Sequence, residues 1–244
     1  MTKLKLSPGT DLTHILGIEH YQAPQPQDLN ASGPYGYGIP RTDEEKWQGL
    51  DSLPYGERVD VTLKIDGQSL TAFVKQSEDG LTWEQGVGGR SFLYKLTSDN
   101  HFTRNAAALD IFSCLKAACS ANGVKGLAFR GEQYGQGIQK GTHNPHSKLP
   151  VGLALFSTWN VDQRRYETKG SPLYIHALAP QLGLPTVPVL ERDVILTPEL
   201  IKRYAEELET VSVNGGPPQP FEGVVINHAG GSFKVINLHF DAKK

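Results

Sequence analysis

The chain has 244 residues, 38% apolar and 20% charged, enough for one large domain or two small ones with a buried core. Its formal net charge of −2 argues against non-specific nucleic-acid binding through overall charge, while a local basic groove stays open. No apolar run approaches the length of a membrane span, and Met1-Thr2-Lys3-Leu4-Lys5 lacks the apolar core of a signal peptide.

Residues 1–40 show little periodicity. Short strands are expected near Leu12–Glu19, and Pro24, Pro26, Gly33, Pro34, Gly36 and Gly38 make 23–40 loop-rich. Thr42, followed three residues later by Glu45, predicts a capping box at the start of a short helix. Val59–Ile65, Ser69–Gln76 and Leu81–Val87 are rich in β-branched and aromatic residues, with Asp66-Gly67 and Asp79-Gly80 between them. That pattern predicts a three-stranded antiparallel meander. The third run ends in Gly86-Val87-Gly88-Gly89-Arg90-Ser91, which lacks the leading glycine and the lysine of a phosphate loop. It is a flexible turn that either aims Arg90 at a ligand or leaves it in solvent.

A helix is expected over 104–121, with Asn105 as cap, Ala108, Ile111, Phe112, Leu115 and Ala118 as apolar face, and Gly123 just beyond its end. The two cysteines, Cys114 and Cys119, fall in it on different faces and fit no zinc pattern, which suits a reduced, cytoplasmic setting, or a host cytosol for a viral protein. A strand over Gly126–Glu132 ends beside a glycine-rich loop, where Glu132 is either a site residue or the local ion-pair partner of Arg130. Leu149–Trp159 is a long apolar strand carrying Phe156. A short helix is expected over Pro172–Leu182, ending near Pro180. A second clear helix opens at Thr197-Pro198-Glu199, with Leu200, Ile201, Tyr204, Leu208 and Val211 as its stripe. Val213–Gln219 reads as loop, and 221–227 and 232–237 as a hairpin around Ala229-Gly230-Gly231. His143 and His146, with no third ligand nearby, read as parts of a polar loop. The mixed order of strands and helices predicts an α+β fold with largely antiparallel sheets and flanking helices.

Lys64, Arg90, Glu132, Glu222 and Lys234 each lie in or beside an apolar β-like run, most of them next to glycine. Charge in such places is paired or used. Lysine beside a buried strand suits an amine nucleophile. The string Lys64-Ile65-Asp66-Gly67 alone does not decide between that role and a strand-end turn.

In order along the chain, Lys64-Ile65-Asp66-Gly67, Phe129-Arg130-Gly131-Glu132, Leu153-Ala154-Leu155-Phe156, Phe221-Glu222-Gly223-Val224-Val225 and Ser232-Phe233-Lys234-Val235-Ile236-Asn237 resemble motifs I, III, IIIa, IV and V of the covalent nucleotidyltransferases. That superfamily comprises ATP-dependent DNA ligases, RNA ligases and mRNA capping enzymes. Pro40-Arg41-Thr42-Asp43-Glu44-Glu45 is similar to the region ahead of motif I in RNA ligases similar to T4 RNA ligase 2. The resemblance implies a nucleotidyltransferase (ATP-grasp-like ligase) domain over 1–244, without a C-terminal OB-fold or helical domain. It implies ATP as substrate, Mg2+ or Mn2+ as metal, and RNA ends as partner, joined 5′-phosphate to 3′-hydroxyl through lysyl-AMP and an adenylylated 5′ end.

By position, the resemblance makes Lys64 the nucleophile, with Leu63 beside it in the nucleotide pocket. Glu132 holds the ribose hydroxyls, Phe156 stacks on adenine, and Arg90 contacts the ribose or the nucleic-acid end. Glu222 assists the metal, directly or through water, with Asp66 as a further metal or water ligand, and Lys234 contacts the α-phosphate. An amine nucleophile must lose its proton, so Lys64 is expected to act mainly once Mg-ATP is bound. Many relatives carry a second lysine where this chain has Ile236, and only 238–244 follow motif V. The expectation is therefore a minimal ligase, a truncated domain of a longer protein, or a catalytic subunit whose partner protein supplies RNA binding. A minimal ATP-dependent DNA ligase and a non-sealing binder of nucleic-acid ends are the alternatives; a capping guanylyltransferase is less favoured.

Overall fold

The computed structural model describes residues 29–41, 44–139 and 144–241. The strands expected near Leu12–Glu19, the cap Thr42 and His143 lie outside these. Near the expected first helix, the described residues hold one 3-10 turn, Trp47–Gly49, without a side-chain cap.

Two antiparallel sheets carry the fold. The larger runs, in spatial order, through β1 (Ala31–Pro34), β5 (Phe92–Tyr94), β4 (Trp83–Gly88), β3 (Gln68–Gln76), β6 (Gly126–Tyr134), β7 (Gly152–Asn160) and β8 (Arg165–Glu167). The smaller runs through β13 (Gly231–Ile236), β12 (Gly223–His228), β2 (Arg58–Leu63) and β9 (Val189–Ile195). A separate small hairpin, β10 (Thr210–Ser212) with β11 (Pro218–Pro220), occupies part of the segment expected as loop.

The expected meander is therefore only partly present. β3 and β4 pair from Thr71↔Gly88 to Gln76↔Trp83, but β2 pairs with β12 and β9 in the other sheet. Both edges of β3 are occupied, by β4 and β6, so β2 has no place beside it. Asp66-Gly67 is not a hairpin turn; it is the crossover that carries the chain from the smaller sheet to the larger.

The helix expected over 104–121 is two, α1 (His101–Ala108) and α2 (Ile111–Asn122), separated where Asp110 takes a left-handed φ of 45°. The cap is Asn100, not Asn105: its Oδ1 accepts from the Thr103 N–H at 3.0 Å, and Thr103 Oγ1 accepts from the Asn100 N–H at 3.3 Å. Asn105 is buried and donates from Nδ2 to Gln133 Oε1 at 2.9 Å. α2 ends at Gly123, φ 65°, as the sequence predicts. Its buried stripe is Ile111, Leu115, Ala118 and Cys119; Ala108 is exposed.

This stripe and Leu178 of α3 (Ile175–Gln181) cover one face of the larger sheet, made by Leu70, Ala72 and Val74 of β3, Leu127 and Phe129 of β6, and Leu153 and Leu155 of β7. The period of two is clean, and each fully buried Leu, Ile or Phe contributes roughly 1.5–3 kcal/mol. A second core joins Val61 and Leu63 of β2, Val224 and Ile226 of β12, and Phe233 and Val235 of β13 to Leu200 and Ile201 of α4 (Pro198–Lys202). Thr197 caps α4, its Oγ1 accepting from the Leu200 N–H at 3.2 Å. Helical structure then widens into a π turn over Arg203–Glu207, burying Tyr204 and Ala205, and Leu208 and Val211 fall beyond its end. Among the described residues no helix is long and apolar enough to cross a membrane.

Candidate active site

Between the two sheets lies a cleft of about 430 Å³. Register builds its first wall. Val225 of β12 stands opposite Thr62 of β2 on one side and Lys234 of β13 on the other, so these three share one face of the smaller sheet. All three line the cleft, as does Asn227 one period further along β12. The opposite wall comes from the larger sheet and its loops: Ser69, Arg90, Arg130, Glu132 and Phe156.

Lys64 sits where the chain leaves β2. Its N–H donates to the Gly223 carbonyl at 3.0 Å, and its amine donates to Glu222 Oε2 at 2.6 Å. The two side chains are 26% and 13% exposed, so the pair is half-sheltered from water. Two glycines allow this close assembly. A Cβ on Gly67 would stand 2.3 Å from the Gln133 carbonyl oxygen and 2.9 Å from Glu132 Cγ. A Cβ on Gly223 would stand 2.3 Å from the Val235 carbonyl oxygen.

Burial pushes the Glu132 carboxyl up to about 8; Lys64 opposes the rise, Glu222 and Asp66 add to it, and the Gly67 N–H opposes it. At neutral pH Glu132 is therefore mostly protonated, and Lys64 faces one carboxylate charge rather than two. Lys234 makes no ion pair among the described residues. The balance of charge in the cleft is positive, which favours a polyphosphate.

A β-bulge falls at Phe156. Arg130 pairs with Ser157 and Gly131 with Leu155, so Phe156 is the extra residue of β7. Leu155 on one side of it packs in the outer core, whereas Phe156 faces the cleft.

Of the residues expected in the site, Leu63, Lys64, Arg90, Glu132, Phe156 and Lys234 line this cleft. Glu222 does not line it but touches the Lys64 amine. Asp66 does not line it either; its carbonyl accepts from Asn144 Nδ2 at 2.7 Å, and its carboxylate acts on Glu132 and on the buried His146. The Arg130 guanidinium, only 1% exposed, donates to the Pro40 carbonyl at 3.0 Å and lies over the Tyr166 ring at 5.3 Å. Residues the sequence did not single out include Glu44, Thr62, Gln139 and Asn227. Thr62 and Asn227 could have been found by stepping two residues from Lys64 and Val225 along their strands. Glu44 lies in the 40–45 segment quoted for the resemblance but draws no role from it, and Gln139 carries no such signal.

A lysine amine against a carboxylate, a buried carboxyl, an aromatic wall and a second lysine without an ion pair among the described residues, gathered between two antiparallel sheets, suit a site of the nucleotidyltransferase type. The chain belongs to the RNA ligase family, whose model matches residues 57–237. Solved structures of Naegleria gruberi RNA ligase are similar to it. A variant with ATP and manganese is 26% identical, with a TM-score of 0.69, covering 96% of this chain and 67% of that one. A variant with AMP and manganese is 25% identical, with a TM-score of 0.69, covering 97% and 68%. The enzyme with pyrophosphate is 26% identical, with a TM-score of 0.67, covering 96% and 67%. No curated protein matches the chain in sequence.

Proposed function

We propose that the chain joins RNA ends with ATP as the energy source, and that Lys64 carries AMP as a covalent intermediate. The observation that carries this reading is the Lys64 amine, 2.6 Å from Glu222, in a cleft that also holds Glu132, Phe156, Arg90 and Lys234. The ATP, AMP and pyrophosphate of the Naegleria structures are the substrate and products that this chemistry requires.

In the first step the Lys64 nitrogen attacks the α-phosphorus of ATP. The N–P bond forms, the bond to the bridging oxygen breaks, and pyrophosphate leaves with the electron pair. Glu222 is the acceptor within reach of the ammonium proton. Next, a 5′-phosphate oxygen of RNA attacks the same phosphorus, the N–P bond breaks, and the amine regains a proton. Finally, an RNA 3′-hydroxyl attacks the adenylylated 5′-phosphate, making the phosphodiester and expelling AMP. Lys234 and Arg90 stabilise charge on the phosphate oxygens, Glu132 holds the ribose hydroxyls, and Phe156 stacks on the adenine.

Among the described residues no group of three or more His, Cys, Asp or Glu side chains forms a ready metal site. Mg2+ or Mn2+ in such sites is held largely by phosphates and water, with one or two carboxylates. Glu222, against the Lys64 amine, would be one, directly or through water, and Asp66 the other. Such an ion supplies neutralisation of phosphate charge.

Incubation with α-labelled ATP and Mg2+ tests the reading. The expected product is an acid-labile AMP adduct, absent in Lys64→Ala, together with sealing of RNA 5′-phosphate to 3′-hydroxyl ends. An equal adduct in Lys64→Ala would overturn the role of Lys64. Sealing of DNA nicks with none on RNA would overturn the substrate.

A further inference from the structure

Strand β12 measures the cleft. Its Gly223 carbonyl binds the Lys64 backbone, and Asn227 lies four residues on, about 13 Å away at the rise of a strand. A nucleotide with its α-phosphate at Lys64 therefore extends its base toward Asn227. Phe156, Val187 and Val225 supply apolar walls there. Beyond them opens a second hollow of about 250 Å³, which shares Glu44, Phe156 and Asn227 with the main cleft. These three stand where the edge of a base arrives.

Two side-chain acceptors are open at this end. Asn227 Nδ2 donates to Thr62 Oγ1 at 3.1 Å and to the Val225 carbonyl at 3.3 Å. The Thr62 hydroxyl donates to the Val225 carbonyl at 3.2 Å, and the Ser232 hydroxyl donates to Glu44 Oε2 at 2.7 Å. Among the described residues Asn227 Oδ1 and Glu44 Oε1 are acceptors without a hydrogen bond, and the buried Ser157 hydroxyl, which lines the second hollow, is the unpartnered donor beside them. Two acceptors match the two N–H donors of one exocyclic amine. A carbonyl in the same place would set its lone pairs against a carboxylate.

We infer that Glu44 and Asn227 select the base of the nucleotide, accepting a 6-aminopurine and rejecting a 6-oxopurine. This rests on the proposed reading of the cleft as the site where Lys64 takes up a nucleotide. Guanine is the informative competitor, because its N1–H and 2-amino group could turn toward the same acceptors, whereas hypoxanthine lacks the amine altogether.

The test compares covalent labelling by ATP, GTP and ITP in the wild type, Glu44→Ala and Glu44→Gln. The wild type should prefer ATP to both. Glu44→Ala should lower the ATP-to-ITP ratio about tenfold or more, chiefly through the KM for ATP. Glu44→Gln, whose amide can donate to a 6-oxo group, should raise ITP labelling above that of the wild type. GTP labelling equal to or better than ATP in the wild type would overturn the inference. So would an equal loss for ATP and ITP in Glu44→Ala, which is what a purely structural tie to Ser232 predicts. Labelling by none of the three would overturn the Lys64 reading itself, and this inference with it.

Discussion

Gly67→Ala isolates the part of the site that depends on space alone. The added Cβ would stand 2.3 Å from the Gln133 carbonyl oxygen and 2.9 Å from Glu132 Cγ. Ordinary contacts begin near 3.4 Å, so the crossover and β6 must separate by about 1 Å. The nearer atom is backbone, held in the β3–β6 ladder by the Gln68↔Gln133 pair, and cannot swing aside as a side chain would. Overpacking of this kind costs roughly 1–3 kcal/mol, a fall in Tm of about 2–12 °C for a chain of this size. The crossover also carries Lys64, and a displacement of about 1 Å at a reacting group costs on the order of 100-fold in rate. Adenylylation should therefore fall about 100-fold while the far-ultraviolet circular dichroism stays that of a folded protein. A variant with the wild-type Tm and labelling rate would refute the argument that Gly67 is required for close approach.

Three further outcomes follow from the same geometry. Between about pH 4.5 and 8 the folded chain holds a proton on Glu132 that the unfolded chain has released, so this group makes stability fall as pH rises through that window. Glu132→Gln removes that slope: urea unfolding at pH 5 and pH 8.5 should show the variant gaining on the wild type at the higher pH, and an identical difference at both would count against it. Phe156→Ala should raise the KM for ATP, since stacking on an aromatic ring is worth roughly 1–3 kcal/mol per base, with Phe156→Tyr close to normal. Lys169 donates to buried Asp60 at 2.7 Å and to Asp193 at 3.2 Å. Burial works to raise the Asp60 carboxyl, but the Lys169 ammonium and the Asp193 N–H hold it below its usual value. Lys169→Met should cost about 2 kcal/mol at neutral pH, less than for a fully buried pair because Lys169 is partly exposed. That loss should shrink as pH falls below 3.8 and Asp60 takes up its proton.

The site was more legible in the sequence than the fold around it. Lys64, Arg90, Glu132, Glu222 and Lys234 could be picked out because charge in or beside an apolar strand, mostly near glycine, is conspicuous, whereas Phe156 enters only through the resemblance of Leu153-Ala154-Leu155-Phe156 to a family motif. Their strands and the 221–237 hairpin follow from periods of two. Pairing was not legible where it is distant: β2 reads locally like the first strand of a meander, and only β6 on the far edge of β3 rules that out. Asn100 and Asn105 are both cap-type residues, and the choice between them rests on Thr103 and on Gln133, which takes Asn105 into the core. The bulge at Phe156 is a property of two strands in register and leaves no mark in either alone. Glu44 reaches the cleft through Ser232, 188 residues later, which no local pattern contains.

The pairing of β2 bears on how the protein is made. Five of its six residues are buried, yet its partners are β9 and β12, which begin at Val189 and Gly223. At synthesis rates of roughly 5–20 residues per second, β2 waits on the order of ten seconds with both edges open. Such an interval favours mispairing with other chains, so the yield of active protein should rise when translation is slowed or an unfolded-chain binder is supplied. Full-length synthesis through β12 and β13 is thus the event that both closes the sheet and brings Glu222 and Lys234 to Lys64.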